Sequence, residues 1–287
     1  MGISVSVLVF TCISLIGVSG VFLITGLTGL FSLGQASFMA VGAYTSGVLL
    51  VRFGFPFPVA ATLGVAAGVL AGALVGLPTV RLRRDYIALV TFGFGEAIIA
   101  ILNNLTQITG GAMGLVGIPP ITTLPLAVGS AIICLFFVWN FKFSKFGRQC
   151  IAVRTDELAA RSMGIHADGL KLLVFLLASG FSAYAGVLYA FYTTYVDPGL
   201  FNWTRSAEWI IMVFFGGLGS LSGAVISALL LGTLPEVLRF ASEWRIALYC
   251  GIVLLIINFR PKGLLGEGEL IPRLKSKISL VKKGGLP

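Results

Sequence analysis

KFSKFGRQCIAVRTDELAARSMGIHADGLK, residues 142–171, interrupts an otherwise apolar chain with six basic and three acidic side chains. A hydrophobic run lies on each side of it, about 122–141 before and 171–195 after. A membrane-crossing helix needs about 20 mostly apolar residues, so both flanks read as spans and the charged stretch as an extramembrane loop. Inside the loop, Asp156 and Glu157 suit the first turn of a helix, where the backbone dipoles favour acids. Thr155 or Asp156 can cap that helix, and Gly164 can end it. A compact, helical, polar loop in the middle of a membrane chain reads as a docking place.

The same reading extends outward. The chain is 57% hydrophobic and only 11% charged, whereas soluble domains carry roughly 25% charged residues. The first charged side chain is Arg52, and the 37 glycines suit helices that pack closely within a bilayer. Candidate spans fall at about 3–25, 32–51, 58–78, 86–105, 122–141, 171–195, 206–221, 222–238 and 246–259. With all nine crossing and the 142–170 loop inside, 16 of the 20 basic residues lie inside. Only Arg52, Arg205, Arg239 and Arg245 fall outside, as the positive-inside rule demands. Fusing 206–238 into one span would put the basic tail outside, so the two-segment reading is preferred. The expected class is therefore all-α and polytopic, with about eight to nine membrane helices, some of them broken or half helices. One membrane domain covers 1–265, and a basic cytoplasmic tail covers 266–287. The N-terminus is expected outside as a retained first helix, because no basic n-region or cleavage site marks a signal peptide.

The net charge of +9 does not imply nucleic acid, because the basic residues sit at the ends of apolar runs, where they orient the chain. The tail's cations suit anionic lipid headgroups. Cys12, Cys134, Cys150 and Cys250 have neither metal-ligand nor disulfide-framework spacing and read as free thiols; no metal site is expected. His166 reads as a solvated loop histidine. No constellation for covalent catalysis is present, so the chain is not expected to be an enzyme.

Two stretches break the helical pattern at membrane depth: GLTGLFSLGQASFMAVGAY, Gly26 to Tyr44, and GGLGSLSGA, Gly216 to Ala224. Non-helical backbone is tolerated there only when buried in protein or beside a wet cavity. Paired breaks in two halves of a transporter point to a translocation path, with a tight turn and close helix packing as the plainer reading of the first. Glu96 stands in the middle of 86–105 with Asn103 on its face and Asn104 nearby. An ionisable group at that depth is costly and should face protein or water, either in a path or as a buried glutamate that fixes packing. The candidate path residues are Ser32, Gln35, Ser37, Tyr44, Glu96, Asn103, Gly216, Gly217 and Ser220.

GLTGLFSLGQASFMAVGAYTSGVLL, RLRRDYIALVTFGFGEAIIAILNN, LTQITGGAMGLVGIP, GRQCIAVRTDELAARSMGI and LGSLSGAVISALLL occur in this order within about residues 20–265. Together they resemble the permease subunits of bacterial branched-chain amino acid ABC importers, the LivM type more than its LivH-type partner. The resemblance implies an ABC importer permease fold in the bacterial inner membrane. It also implies a cytoplasmic coupling helix, often patterned E-A-A-x-x-x-G, that seats in an ATPase subunit. Glu157 to Gly164 is similar to that pattern with Leu158 inserted after the acid. The coupling residues it implies are Arg154, Thr155, Asp156, Glu157, Leu158, Ala159, Ala160, Arg161 and Gly164.

The chain carries no G-x-x-x-x-G-K-[ST] phosphate loop, so it binds no cofactor itself, and ATP–Mg belongs on partner subunits. The implied partners are a LivH-like permease or a second copy, two cytoplasmic ATPases, an extracytoplasmic solute-binding protein and the solute. Leucine, isoleucine and valine are the expected solutes, with urea and short-chain amides as the alternative. A stand-alone ion-coupled transporter using Glu96, or a structural membrane scaffold, would be a different class altogether.

Overall fold

Val5–Val21 form α1, which runs on through a π-helical turn, Phe22–Leu27. The run is apolar on every side, as suits a helix buried all round, and 72% of its central window is covered by the rest of the chain. It ends where Gly29 takes φ +70°, a backbone conformation that costs glycine nothing. The computed structural model describes residues 5–82 and 84–237, together with Gly251, Leu254, Asn258, Gly263, Leu264, Gly266 and Glu269.

Helix α2, Gln35–Phe53, stops at Gly54, whose φ of +66° lets its N–H reach the carbonyl of Leu50. α3, Phe57–Thr79, begins with a proline in its first turn, where the missing N–H costs nothing. α4, Arg84–Asn104, is followed by a single helical turn, α5, Thr106–Thr109. Next come β1, Leu115–Val116, and α6, Leu124–Phe143. The polar loop holds two helices, α7, Lys145–Thr155, and α8, Glu157–Ser162. α9, Ala167–Thr193, leads into β2, Tyr195–Val196, which pairs antiparallel with β1. α10, Trp203–Gly216, and α11, Leu221–Val237, follow.

α9 is the axis of the bundle, with α1, α2 and α3 packed on it. Lipid supplies no hydrophobic force between helices, so close approach through small side chains has to hold them together. A Cβ on Gly42 would overlap the Ala183 carbonyl, one on Gly68 the Ala183 methyl, one on Gly72 the Ser179 hydroxyl and one on Gly186 the Met39 carbonyl. α4 and α6 are peripheral, with only 22% of each membrane window buried.

Among the described residues, six helices are long and apolar enough to cross a membrane: Val5–Leu27, Gln35–Phe53, Phe57–Thr79, Tyr86–Asn104, Leu124–Phe143 and Ala167–Thr193. The expected pair at 206–221 and 222–238 is indeed two helices, divided at Gly217–Ser220. Neither joins the six: α10 has 14 residues, or about 21 Å, and α11 has 17. The ninth candidate, 246–259, lies almost wholly outside the described residues. The charged interruption is also narrower than it reads. Lys142 closes α6 and Lys171 lies in α9, at 7% and 3% exposure.

Candidate functional site

The polar loop folds back under the helical bundle. Ser144 caps α7, its hydroxyl accepting from the Gly147 N–H at 3.3 Å. α7 lays Cys150 and Val153 against the body, both fully buried, and burial pushes the Cys150 thiol up to about 12. Asp156 breaks the chain between the helices and caps α8, its Oδ1 accepting from Leu158 N at 2.9 Å and Ala159 N at 3.0 Å. Gly164, at φ +80°, turns the chain out of α8.

Glu157 anchors α8 to the bundle. Its Oε1 accepts from Lys171 Nζ at 2.6 Å and Arg161 Nη2 at 2.9 Å, and Arg161 also reaches Asp168. Partial burial works against ionising Glu157, yet the hydrogen bonds from Lys171 and Arg161 together hold its carboxyl below the ordinary value. Ala160 turns inward while Leu158 and Met163 stand 79% and 83% exposed. α8 is thus a braced helix presenting an apolar face outward, the departure Leu158 included.

Arg154, at the last turn of α7, reaches both glycine-rich breaks. Its Nη1 donates to the carbonyl of Gly26 in the first and, at 3.3 Å, to that of Leu218 in the second. The breaks themselves touch: a Cβ on Gly26 would come within 2.9 Å of the Leu218 carbonyl. Arg84 locks this corner from α4, its Nη2 donating to the carbonyls of Val153 at 2.8 Å and Arg154 at 3.1 Å. Gly29 makes room, since a Cβ there would sit 2.9 Å from the Arg154 side chain.

The second break has its own lock. Glu269 accepts from the N–H groups of Leu221 at 2.8 Å and Ser222 at 3.1 Å, which caps α11 with a carboxylate. Lys142 pairs with the same carboxylate and donates to the Gly219 carbonyl. Both side chains are buried. Burial opposes ionisation of Glu269, but Lys142, Ser222 and the two backbone donors outweigh it and lower its pKa. Leu264 N–H donates to the Phe215 carbonyl at 2.8 Å, and Gly263 packs on Gly217. Gly217 takes φ +109°, and Gly216 meets Gly223 so closely that a Cβ on either would overlap the other's backbone.

The remaining expected path residues divide into two groups. Ser32, Gln35 and Ser37 are buried: Gln35 donates to Ser32 at 3.1 Å and accepts from Ser182 at 2.8 Å, and Ser37 donates to the Gly34 carbonyl at 2.6 Å. Ser206 of α10 joins them, accepting from the Ala36 N–H at 2.8 Å. Tyr44 is buried too and donates to the Val196 carbonyl at 3.0 Å, while Ser220 lies within the second break and accepts from the Gly223 N–H. Glu96 differs from all of these. It is exposed on α4, with no hydrogen bond or ion pair among the described residues, so it is not a buried glutamate fixing packing within the chain. Asn103 is half-buried.

Sequence reading did not find Arg84, Lys142, Ser182 or Glu269. Three of the four were visible as charges, Arg84 and Lys142 at span ends and Glu269 in the tail, but their partners lie 47 or more residues away in the chain.

Residues 3–258 match the family described as branched-chain amino acid transport system / permease component. The chain is 32% identical to the high-affinity branched-chain amino acid transport system permease protein LivM of Salmonella typhimurium, over 97% of this chain and 73% of that one. LivM of Escherichia coli K12 matches at the same identity and coverage. LivH of Salmonella typhimurium matches at 24% over 88% of this chain and 90% of its own. Among solved structures, PsaBC from Streptococcus pneumoniae in complex with Fab aligns with a TM-score of 0.49 and 19% identity, covering 88% and 89% of the two chains. With its family match spanning nearly the whole length and its polytopic helical fold, this chain belongs to the branched-chain amino acid transport system permease family.

Proposed function

We propose that the chain is one of two permease subunits of an ATP-driven importer for branched-chain or closely related amino acids, set in the bacterial inner membrane with the α7–α8 end in the cytoplasm. The observation that carries this reading is the Arg154 guanidinium, which ties the loop helix α7 to both glycine-rich breaks. α8 offers Leu158 and Met163 to an ATPase subunit, and the Glu157–Lys171 and Arg161–Asp168 pairs make it rigid enough to transmit a push. ATP-driven closure of two ATPases would displace α8 and α7 together. Arg154 would then move the ends of α1 and α10 where they meet, and the path would change the side to which it opens.

Clustering of Arg84, Lys142, Arg154 and Lys171 at one end of the bundle supports placing that end inside. The exposed Glu96 supports a paired assembly. A carboxylate at membrane depth needs water or a protein partner, so that face of α4 meets a LivH-like permease or a second copy across the path. A solute-binding protein delivers the amino acid to the opposite end.

The test is assembly and transport. The tagged chain should copurify with ATPase subunits under mild detergent, and deleting 154–165 should abolish that association. The reconstituted complex should take up leucine only with ATP inside. Uptake by the purified chain alone under an ion gradient would instead establish a stand-alone transporter.

A further inference from the structure

At the end of the bundle away from α8, a cavity of about 220 Å³ opens between α1, α2, α9 and α10. Its level is set by Tyr189, 18 residues along α9 from Lys171 and so about 27 Å from the coupling end. The volume is a little under the roughly 300–1,000 Å³ typical of drug-sized ligands, which suits a smaller solute.

The wall has two chemistries. Ile13, Met39 and the rings of Phe10 and Trp209 are apolar, while Arg205, Ser14 and Tyr189 bring polar groups to the same space. These polar groups have few partners among the described residues. A guanidinium has five N–H donors, about four more than the single contact that Arg205 makes among the described residues, to Glu208 at 3.3 Å. Thr11 and Ser19 on the same helix donate back to the carbonyls of Val7 and Leu15, both at 2.7 Å, whereas Ser14 makes no such bond among the described residues. The Tyr189 hydroxyl likewise has no hydrogen-bond partner among them. Trp209, only 1% exposed, carries an indole N–H with no acceptor among the described residues, and its ring is pinned over Gly17. A buried donor without a partner costs about 1–3 kcal/mol, which applies to the Trp209 indole, and the spare capacity of Arg205, Ser14 and Tyr189 in the same space gives a ligand further partners.

We propose that this cavity binds a free α-amino acid with an apolar side chain, its carboxylate on Arg205. The planar fork of a guanidinium matches a carboxylate with two parallel bonds, and Ser14 and Tyr189 add donors beside it. The aliphatic side chain lies against Ile13 and Met39. The ammonium lies near the aromatic faces of Phe10 and Tyr189. The proposal rests on reading the chain as an amino acid permease, and it excludes urea and simple amides as ligands of this cavity, because they offer no carboxylate.

The test uses the complete importer, with its ATPases, partner permease and binding protein, in proteoliposomes supplied with radiolabelled leucine. R205Q should lower uptake about tenfold or more, the loss of one charged hydrogen-bond pair. R205K should recover part of it, and S14F, which fills the cavity, should block uptake without touching the charge. Each variant should still copurify with the ATPases and still bind the liganded solute-binding protein. Uptake equal to wild type in both R205Q and S14F overturns the proposal. Loss of binding-protein association in R205Q also overturns it, by assigning Arg205 to docking. If R205Q does not assemble, S14F decides alone. A wild-type importer that carries urea or amides but no amino acid refutes the functional reading itself.

Discussion

Replacing Arg154 by alanine is the sharpest perturbation of the proposed coupling route. The side chain makes two charge-assisted bonds to the breaks, one to Gly26 and a longer one of 3.3 Å to Leu218. Bonds to charged groups contribute about 1.5–3 kcal/mol each, and a half-buried site with one long bond argues for the low end, or about 3 kcal/mol in all. At about 1.4 kcal/mol per tenfold, that is roughly a hundredfold change in the equilibrium between linked and unlinked breaks. α7 itself should stay docked, because Arg84 still holds the carbonyls of Val153 and Arg154 and these are backbone atoms. R154A is therefore expected to fold, insert and bind ATPases, yet to hydrolyse many more ATP molecules per solute moved. The assay is leucine uptake and phosphate release measured together in the same proteoliposomes. A variant that moves as much leucine per ATP as wild type would refute the argument, since the breaks would then move without the guanidinium.

Lys142→Met should destabilise the chain by about 3–5 kcal/mol, because it leaves the buried Glu269 carboxylate unpaired, and adding E269Q should restore much of the loss. Thermal unfolding in detergent reads both, and an additive double variant would contradict the pairing. Gly186→Leu should lower the midpoint sharply, since a Cβ alone already collides with the Met39 carbonyl. Cys150 should resist maleimide at pH 7–8 until the protein is unfolded, because its buried thiol is pushed up to about 12; rapid labelling of the native protein would mean that α7 is not packed as described. The brace on α8 should be pH-dependent in one direction. The folded pKa of Glu157 is lowered, so its contribution is complete above the ordinary glutamate value of about 4.3 and lost as pH falls through the lower folded value. Hydrogen exchange of α8 amides should show steady protection from pH 7 to 5, and E157Q should remove it at every pH.

Local features of the site were legible in the sequence because short-range chemistry determines them. The acid at Asp156 and the glycine at Gly164 bound a six-residue helix in the way their types predict. The breaks at Gly26 and Gly216 were likewise visible as interruptions of apolar runs. Their contact was not, because nothing in GLTG or GGLGSLSG states that the two meet at one guanidinium 128 and 64 residues away. Lys142 read as a loop charge because hydropathy sees the ammonium and not its distant carboxylate. Arg205 was visible only as a charge on the outer side; its cavity is assembled from four helices and has no signature in any one of them.

The cap on α11 also has a consequence for biosynthesis. Glu269 leaves the ribosome 48 residues after Leu221, yet it caps the helix that begins there and neutralises a lysine at 142. Until about 48 further residues have followed Leu221, the nascent permease holds an ammonium and a bare helix terminus side by side, two positive ends with no counter-charge. The second break therefore settles only once residue 269 has been made, and a chain stopped by a premature codon before 269 keeps that repulsion permanently. Such a product would insert normally and still be marked as unfinished, offering membrane proteases a local defect at the very corner through which the loop is proposed to act.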